Sequence, residues 1–288
     1  PPYQRQCPHR HGFQPHKRRK AEKMTLKELY DYIDERIPFS AQESWDNSGL
    51  LVGDTGREIK KVLTALDISK AVIDEAQSLS ADVIVSHHPI IFRPLKRIDT
   101  SESAAVPVAR LIKADIAAIC THTPFDMSPL GMNKGLYELL REPLCLSESY
   151  EPLEDLGNGN MIGRIYDIDT ILPMRGRDMA KALKGIFDVR ASRSFEDKLI
   201  RRIAVSSGAG NSFVEAAFEK GCDALVTGDL KHDSYISAEN MGIALFDCGH
   251  YGTECIFRDI MRDILKGTGL EVISSSAEKD PAACISLS

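Results

Sequence analysis

Short apolar segments alternate with amphipathic helical segments from Met24 onwards, and this alternation restricts the fold more than any other feature of the chain. The apolar segments predict strands at 61–66, 82–86, 116–121, 161–168, 200–206, 224–227, 243–247 and 270–274. The intervening patterns predict helices at 26–33 after Thr25, directly after Ser69, and at 108–113, 133–141, 175–186, 212–220, 234–241 and 252–265. The β-α-β order therefore indicates an α/β protein with mostly parallel sheets covered by helices.

Composition suggests where the domains begin and end. Residues 143–159 are rich in Pro, Glu, Ser, Gly and Asn, which is typical of a crossing between domains. We predict a first α/β domain at 24–142, completed by 248–288, and a second α/β domain at 143–247. Residues 1–23 have almost no large aliphatic side chains, so we predict a disordered basic tail outside the fold. A nucleic-acid-binding or targeting arm is the alternative for this tail.

Charge and cysteine content exclude several classes of protein. Residues 1–23 carry seven Lys or Arg against one Glu, a charge of +6, so the net charge of −6 leaves −12 on residues 24–288. Such acidity disfavours an extended nucleic-acid interface. The seven scattered cysteines form no Cys-x-x-Cys pair, which argues against a disulfide framework and a structural zinc site. No apolar stretch reaches the roughly 18 residues that span a bilayer, so we expect a cytoplasmic protein without a membrane partner.

The histidines outside the tail mark one edge of the predicted sheets. All five follow the carboxyl end of a predicted strand or lie in the turn after it. They are His87, His88, His122, His232 and His250. Ligands of open α/β sheets bind outside these strand ends, so the pattern predicts a functional site there.

His87 and His88 follow the strand predicted at 82–86, and Pro89 helps to end that strand. Consecutive residues of a strand point to opposite faces, so both imidazoles reach one site only where the chain leaves the strand. Two adjacent imidazoles could then bind two neighbouring ions. The alternative is structural, with one histidine packed and the other solvated.

Asp126, His250 and Glu254 complete the candidate ligand set. Asp126 shares a strand-terminal loop with His122, although Asp is also common in turns for its hydrogen bonding. His250 and Glu254 are four residues apart at the start of a predicted helix, which places them on one helical face. A capping role for Glu254, or an ordinary contact along the helix, is the alternative.

Three histidines and two carboxylates suit Zn, Fe or Mn. Five side chains are too many for one catalytic zinc with an open position. They fit two divalent ions that activate a water for hydrolysis, with Glu254 as the bridging carboxylate. The sequence therefore predicts a dinuclear metal centre.

Two further segments have two interpretations each. The Gly-rich turn at 206–212 could receive a phosphate or serve as a plain turn. Asp229 and His232 could transfer protons or bind substrate, or they could be ordinary surface residues. For Trp45, the single tryptophan, packing beneath a turn is the expectation. Cys248 and Cys255 flank the predicted site, and we interpret them as buried thiols.

Five of these segments carry a resemblance to a known family. They are residues 45–50 (WDNSGL), 86–89 (SHHP), 121–126 (THTPFD), 227–229 (TGD) and 249–254 (GHYGTE). In this order they resemble the GTP cyclohydrolase I type 2 homologs, also called the Nif-three-like dinuclear-metal proteins. The resemblance covers nearly all of residues 24–274.

The resemblance implies that His87, His88, Asp126, His250 and Glu254 are metal ligands and that His122 is a nearby site histidine. It also implies two α/β domains with the metals in the cleft between them, and a ring-shaped homohexamer. The stretch from Asp126 to Ser206 is too short for the inserted domain of longer members, which implies the compact form. Asp229 departs from the Glu expected in many relatives.

Two functions from different classes remain open at this point. The first is a metal-dependent hydrolase acting on a nucleotide or another phosphorylated heterocycle. If the family name is literal, water attacks C8 of the guanine ring of GTP and formate is released, with His122 or His232 moving protons and Asp229 touching substrate. A phosphoesterase using the same ions is a variant of this hypothesis. The second is a non-catalytic metal-binding protein that regulates or delivers a metal.

Overall fold

The computed structural model describes residues 23–157, 159–169 and 171–282. The predicted disordered tail, apart from Lys23, lies outside these residues. The strands in the described ranges are β1 (Met24–Thr25), β2 (Gly49–Val52), β3 (Glu58–Ile59), β4 (Lys61–Ala65), β5 (Val83–Ser86), β6 (Ala117–Cys120), β7 (Leu146–Gly157), β8 (Asn160–Ile168), β9 (Met174–Arg175), β10 (Arg190–Ala191), β11 (Leu199–Ile200), β12 (Arg202–Ala209), β13 (Ala224–Gly228), β14 (Ala244–Asp247) and β15 (Glu271–Ser274).

The α-helices of the described ranges follow the same chain order. They are α1 (Leu26–Asp34), α2 (Lys70–Ser78), α3 (Ala105–Ala114), α4 (His122–Met127), α5 (Met132–Leu140), α6 (Gly176–Lys184), α7 (Val214–Glu219), α8 (His232–Met241), α9 (His250–Glu254) and α10 (Phe257–Leu265). Short 3₁₀ helices lie at Phe39–Ala41, Arg193–Phe195, Gly210–Phe213 and Lys266–Thr268. The α/β class predicted from the sequence is confirmed.

Two compact units divide the described chain. The first unit contains the residues up to Phe125 together with Ile256–Lys279, and the second unit contains Asp126–Cys255 and the residues from Asp280 onwards. The unit boundaries therefore fall at Phe125 and Cys255. The limits at 142 and 247 stay a prediction about independently folding domains.

The first unit contains a five-stranded sheet in the order β15-β4-β5-β6-β2. β15, β4, β5 and β6 are parallel, and β2 pairs antiparallel with β6. Leu63, Ile84 and Ala118 of the central strands pack with Val72 of α2 and Leu111 of α3 in one apolar core. The parallel register places the carboxyl ends of β4, β5 and β6 side by side, as the β-α-β pattern predicts.

A six-stranded mixed sheet forms the framework of the second unit, in the order β10-β14-β13-β12-β8-β7. Only β12, β13 and β14 are parallel, while β10, β8 and β7 are antiparallel to their neighbours. The prediction of a mostly parallel sheet therefore holds for the first unit and for the centre of this sheet. Leu225, Leu245 and Ala204 are buried under Val214 and Ala238 of the helices.

The prediction that residues 143–159 form a crossing segment is wrong. Most of this stretch is β7, the edge strand that pairs antiparallel with β8. An edge strand exposes one row of backbone groups and one face to water, so it tolerates polar side chains and a proline such as Pro152. These residue types also predict a loop, which explains the error.

The first turns of α1 and α2 have the N-cap residues that the sequence predicts. The Thr25 hydroxyl accepts the Glu28 amide at 3.2 Å, and the Glu28 carboxylate accepts the Thr25 amide at 2.6 Å, which forms a capping box for α1. The Ser69 hydroxyl accepts the Val72 amide at 3.3 Å and caps α2. Both caps were predicted from the sequence.

Two segments next to the candidate site differ from prediction. The helix predicted at 252–265 consists of two helices, α9 and α10, separated at Cys255–Ile256. α9 buries Glu254 in the second unit, whereas α10 buries Phe257 and Met261 in the first unit, so a single continuous face does not serve both. The loop predicted around Asp126 is the helix α4.

Among the described residues, no helix combines the length and the apolar character that a bilayer crossing requires. The expectation of a cytoplasmic protein stays a prediction.

Candidate metal centre

Three histidines of the first unit come together where β5 and β6 end. His87 and His88 follow β5 directly, and His122 begins α4 two residues after β6. The two strands are parallel neighbours, with Ser86 opposite Cys120, so the chain leaves both at adjacent points. Each histidine has a ring nitrogen within 4.8 Å of such an atom on the other two. We call these three residues the histidine cluster.

The members of the cluster differ in exposure. His87 is fully buried, with its ring centroid 5.3 Å from that of Phe257 and 6.1 Å from that of Phe125. The thiol of Cys120 donates to the His87 carbonyl oxygen at 2.9 Å and fixes the backbone there. The side chain of His88 is 24% exposed. The pair is thus one packed and one partly solvated histidine, as the structural alternative expects, yet both rings belong to one cluster.

A carboxylate lies behind each of the two more exposed histidines. Asp67 Oδ1 is 2.8 Å from His88 Nδ1, and Asp46 Oδ1 is 2.8 Å from His122 Nδ1. A carboxylate that accepts the Nδ1 proton fixes the tautomer and the ring orientation, so the lone pair on Nε2 can bind a metal or accept a proton. This arrangement is typical of metal-binding histidines.

Asp46 is held as an anion. Burial raises its pKa, but hydrogen bonds from His122, Thr123 and Ser48 outweigh this effect, so the pKa lies well below its usual range. The Thr123 hydroxyl donates to Asp46 Oδ2 at 2.5 Å, and the Ser48 hydroxyl donates to the same oxygen at 2.9 Å. With its side chain fully buried, Asp46 is a rigid acceptor for His122.

The turn that carries Asp46 also corrects the expectation for Trp45. Trp45 is not packed beneath the turn but is 57% exposed, with its ring edge-on to His122 at a centroid distance of 5.9 Å. The side-chain amide of Asn47 donates to the Ile91 carbonyl oxygen at 2.5 Å. Since Asn47 joins this turn to the segment after the histidine pair, Trp45 lies beside Phe92.

In the second unit, His250 and Glu254 begin and end the one-turn helix α9. His250 Nε2 is 2.9 Å from Glu254 Oε2, so the predicted pair approaches one point. Asp229 Oδ2 lies 2.7 Å from His250 Nδ1 and orients this ring as Asp67 orients His88. A carboxylate oxygen of Asp126 lies within 4.8 Å of one on Glu254. We call Asp126, His250 and Glu254 the second-unit ligand group.

Gly208 makes room for this group. Its φ angle is +59°, and a Cβ placed there would overlap Glu254 Oε1 and lie 3.4 Å from His250 Nε2. The neighbouring Gly210 has the same constraint, because a Cβ there would overlap the Thr227 hydroxyl. Close packing thus accounts for both glycines of the turn at 206–212, for which phosphate binding was one interpretation. The helix that follows, α7, begins only at Val214.

Comparison with known proteins agrees with the matched segments. Residues 24–281 match the model of the family described as Duf34/NIF3 (NGG1p interacting factor 3). The chain belongs to the Duf34/NIF3 family. The resemblance inferred from the sequence motifs is therefore confirmed.

Relatives named GTP cyclohydrolase 1 type 2 homolog align with most of the chain. One from Streptococcus pneumoniae is 32% identical over 270 residues, covering 90% of this chain and 98% of the relative. Another from Clostridium perfringens is 30% identical over 264 residues, with the same coverage of both chains.

Several solved structures are similar to this chain over most of its length. A Staphylococcus aureus hypothetical protein has a TM-score of 0.80 at 26% identity, covering 92% of this chain and all of the other. Reduced HcgD from Methanocaldococcus jannaschii has a TM-score of 0.74 at 28% identity, covering 88% of this chain and 99% of the other. A Bacillus cereus protein related to NIF3 shares the fold with a TM-score of 0.79 at 21% identity.

The remaining predicted site residues fall into different places in this Duf34/NIF3 chain. Asp229 contacts a predicted ligand, His250, rather than standing apart from the ligand set. His232 is the exposed first residue of α8, and its role in proton transfer stays a prediction. Cys248 and Cys255 are buried, as expected. Burial raises the pKa of the Cys248 thiol, which disfavours the thiolate that metal binding would need.

Sequence reasoning missed two of the three carboxylates that orient the histidines, Asp46 and Asp67. Asp67 follows β4 as the histidines follow their strands, so the strand-end rule extended to acidic residues would have found it. Asp46 lies within the matched segment 45–50, but its partner His122 is 76 residues away. No local pattern joins the two residues, so only the fold reveals the pair.

Proposed function

We propose that this chain is a dinuclear metal-dependent hydrolase that acts on a nucleotide or another phosphorylated heterocycle. In this proposal His87, His88, Asp126, His250 and Glu254 ligate two divalent ions of Zn, Fe or Mn.

The observation that carries the proposal is the carboxylate at Nδ1 of three histidines. Each of His88, His122 and His250 has a carboxylate oxygen 2.7–2.8 Å from Nδ1. Metal-binding histidines almost always donate the second ring N–H to a carboxylate, a backbone carbonyl oxygen or a water, and two of these three, His88 and His250, are proposed ligands. The donor set of imidazole and carboxylate also fits Zn, Fe or Mn.

Two ions would supply charge stabilisation and a water acidic enough to act as a nucleophile at neutral pH. The protein supplies orientation and proton transfer. His122 keeps its Nδ1 proton on Asp46, so its Nε2 can accept a proton from the attacking water and return it to the leaving nitrogen. Phe125 and Phe257 exclude water from one side of His87.

The substrate class follows from the relatives that are named GTP cyclohydrolase 1 type 2 homologs. For GTP the reaction would be hydrolysis at C8 of the guanine ring, in which water opens the ring and further hydrolysis releases C8 as formate. Phosphate release from the same substrate would instead indicate a phosphoesterase.

The test combines metal analysis with product analysis. The wild-type chain, stripped by a chelator and reloaded with Zn, Mn or Fe, should bind two ions and release formate from GTP. Glu254→Gln removes the predicted bridging charge and should lower both the metal content and the turnover. Glu219→Gln, on an exposed residue of α7, is the matched control and should change neither.

Two outcomes would redirect the proposal. Full metal loading without turnover of any nucleotide would support the alternative, a metal-binding protein that regulates or delivers a metal. A metal content that Glu254→Gln leaves unchanged would contradict the predicted ligand set itself.

We also propose assembly into a ring-shaped homohexamer, as the family resemblance implies. Native mass spectrometry of the purified chain should show six copies. A monomer at micromolar concentration would contradict this part of the proposal without affecting the metal ligands.

A further inference from the structure

Two exposed aromatic rings lie next to the histidine cluster. Trp45 is 57% exposed and Phe92 is 48% exposed, and their ring centroids are 6.1 Å apart at an interplanar angle of 61°. Both rings stand edge-on to His122, at centroid distances of 5.9 and 6.1 Å. We call Trp45 and Phe92 the aromatic patch.

Hydrogen bonds hold the aromatic patch in place. Asp46 binds His122, and Asn47 binds the Ile91 carbonyl oxygen, so the residues directly after Trp45 fix its turn at two points. Apolar side chains of this size normally lose solvent exposure on folding. Two of them kept in water by a fixed turn, beside a group of histidines, indicate a surface that contacts a ligand.

The segment that carries Phe92 is cationic. Residues 88–97 contain Arg93, Lys96 and Arg97 and no carboxylate, in a chain whose net charge is −6. Arg97 is engaged with Glu102, while Arg93 and Lys96 are exposed. Cationic side chains next to an aromatic surface are the features that recognise a planar base joined to a phosphate.

We infer that Trp45 and Phe92 form a stacking subsite for the heteroaromatic ring of a nucleotide, with Arg93 and Lys96 contacting its phosphates. This inference rests on the proposed function, which gives the substrate class, and it adds the residues that recognise the nucleotide. A ring stacked on the aromatic patch would lie beside His122. The subsite lies wholly within the first unit.

Trp45 is the chain's only tryptophan, so its fluorescence reports directly on the subsite. The experiment titrates the wild-type chain with GTP, guanosine and inorganic tripolyphosphate, with and without Mn. We expect saturable quenching by GTP, weaker binding of guanosine, and no quenching by tripolyphosphate. Equilibrium dialysis with labelled GTP provides an independent dissociation constant.

Two variants and one control locate the binding energy. Phe92→Ala should weaken GTP binding about tenfold, within the range measured for base stacking. Arg93→Gln should weaken binding of GTP but not of guanosine. Phe218→Ala is the matched control, because Phe218 is 44% exposed on α7 in the second unit and should leave the dissociation constant unchanged.

The inference and the proposed function can fail separately. GTP binding with an unchanged Trp45 spectrum, or with equal affinity in Phe92→Ala, would overturn the stacking subsite even if formate were released. Quenching and Phe92 dependence without product would support the subsite and contradict the hydrolase. Complete protection of Trp45 from acrylamide in the ligand-free protein would identify the aromatic patch as a contact between copies of the chain, which also overturns the inference.

Discussion

The histidine cluster of the first unit and the ligand group of the second unit use the same device in different surroundings. In both, a carboxylate holds histidine Nδ1, but the side chain of Asp46 is fully buried whereas that of Asp229 is 53% exposed. Asp46 also accepts hydrogen bonds from Thr123 and Ser48. The comparison teaches that Asp46 combines the orientation of His122 with folding stability, whereas Asp229 orients His250 at a solvated position.

In the second unit, close packing around Glu254 depends on the missing side chain of Gly208. Gly208→Ala should therefore have the largest effect of the variants that test this comparison. A Cβ at φ +59° strains the backbone by about 1–2 kcal/mol, and displacement of Glu254 adds about 1–3 kcal/mol of overpacking. We expect a loss of unfolding free energy of about 2–5 kcal/mol in urea denaturation, together with a reduced metal content.

Gly221→Ala is the matched control for this prediction. Gly221 has a φ angle of +70°, and a Cβ added to it would meet no heavy atom within 4 Å, so only the backbone strain applies. Equal losses in the two variants would show that the space beside Glu254 is not constrained.

Replacing the two orienting carboxylates sharpens the comparison directly. Asp46→Asn should lower the unfolding free energy by about 1.5–3 kcal/mol, because buried hydrogen bonds to a charge are lost. Asp229→Asn should cost less than about 1 kcal/mol at its exposed position. Asp229→Asn, behind the proposed ligand His250, should weaken metal binding by about 10–100-fold. Asp46→Asn, behind the proposed proton carrier His122, should instead lower turnover. Similar stability losses in the two variants, measured by urea denaturation of the metal-free protein, would contradict the comparison.

The acid stability of the protein should depend on Asp46. Because its folded pKa is lowered, Asp46 contributes stability that is present above the ordinary value of 3.8 and is lost as pH falls below it. We expect the unfolding free energy to fall less steeply in Asp46→Asn than in the wild type when the pH is lowered from about 6 to about 3. The same pH dependence in the variant and the wild type would show that Asp46 is not held as an anion.

The smallest expected effect concerns the residue behind Asp67. Glu278 is nearly buried and accepts the Asp67 amide at 2.7 Å, and burial raises its pKa. Its stabilising contribution is therefore full below the ordinary value of 4.5 and decreases as pH rises through the folded pKa. Glu278→Gln should remove this decrease, whereas the exposed Glu271→Gln should retain it. Thermal unfolding across this pH range measures both.

Local patterns predicted much of the fold because they reflect local physics. The caps at Thr25 and Ser69 and the buried strands β5 and β13 are encoded within a few residues. β7 was missed because an edge strand has no continuous apolar signal. The break between α9 and α10 was missed because helical periodicity does not reveal which unit each turn packs against.

The candidate site shows the same division. Sequence alone predicted which histidines lie at strand ends, since His87, His88 and His122 follow two neighbouring parallel strands of one sheet and His250 follows a strand of the other sheet. Only the tertiary structure decided what surrounds them. Asp46, Gly208 and the aromatic patch meet their partners through contacts between residues far apart in the chain, and such contacts are set by packing and not by local periodicity.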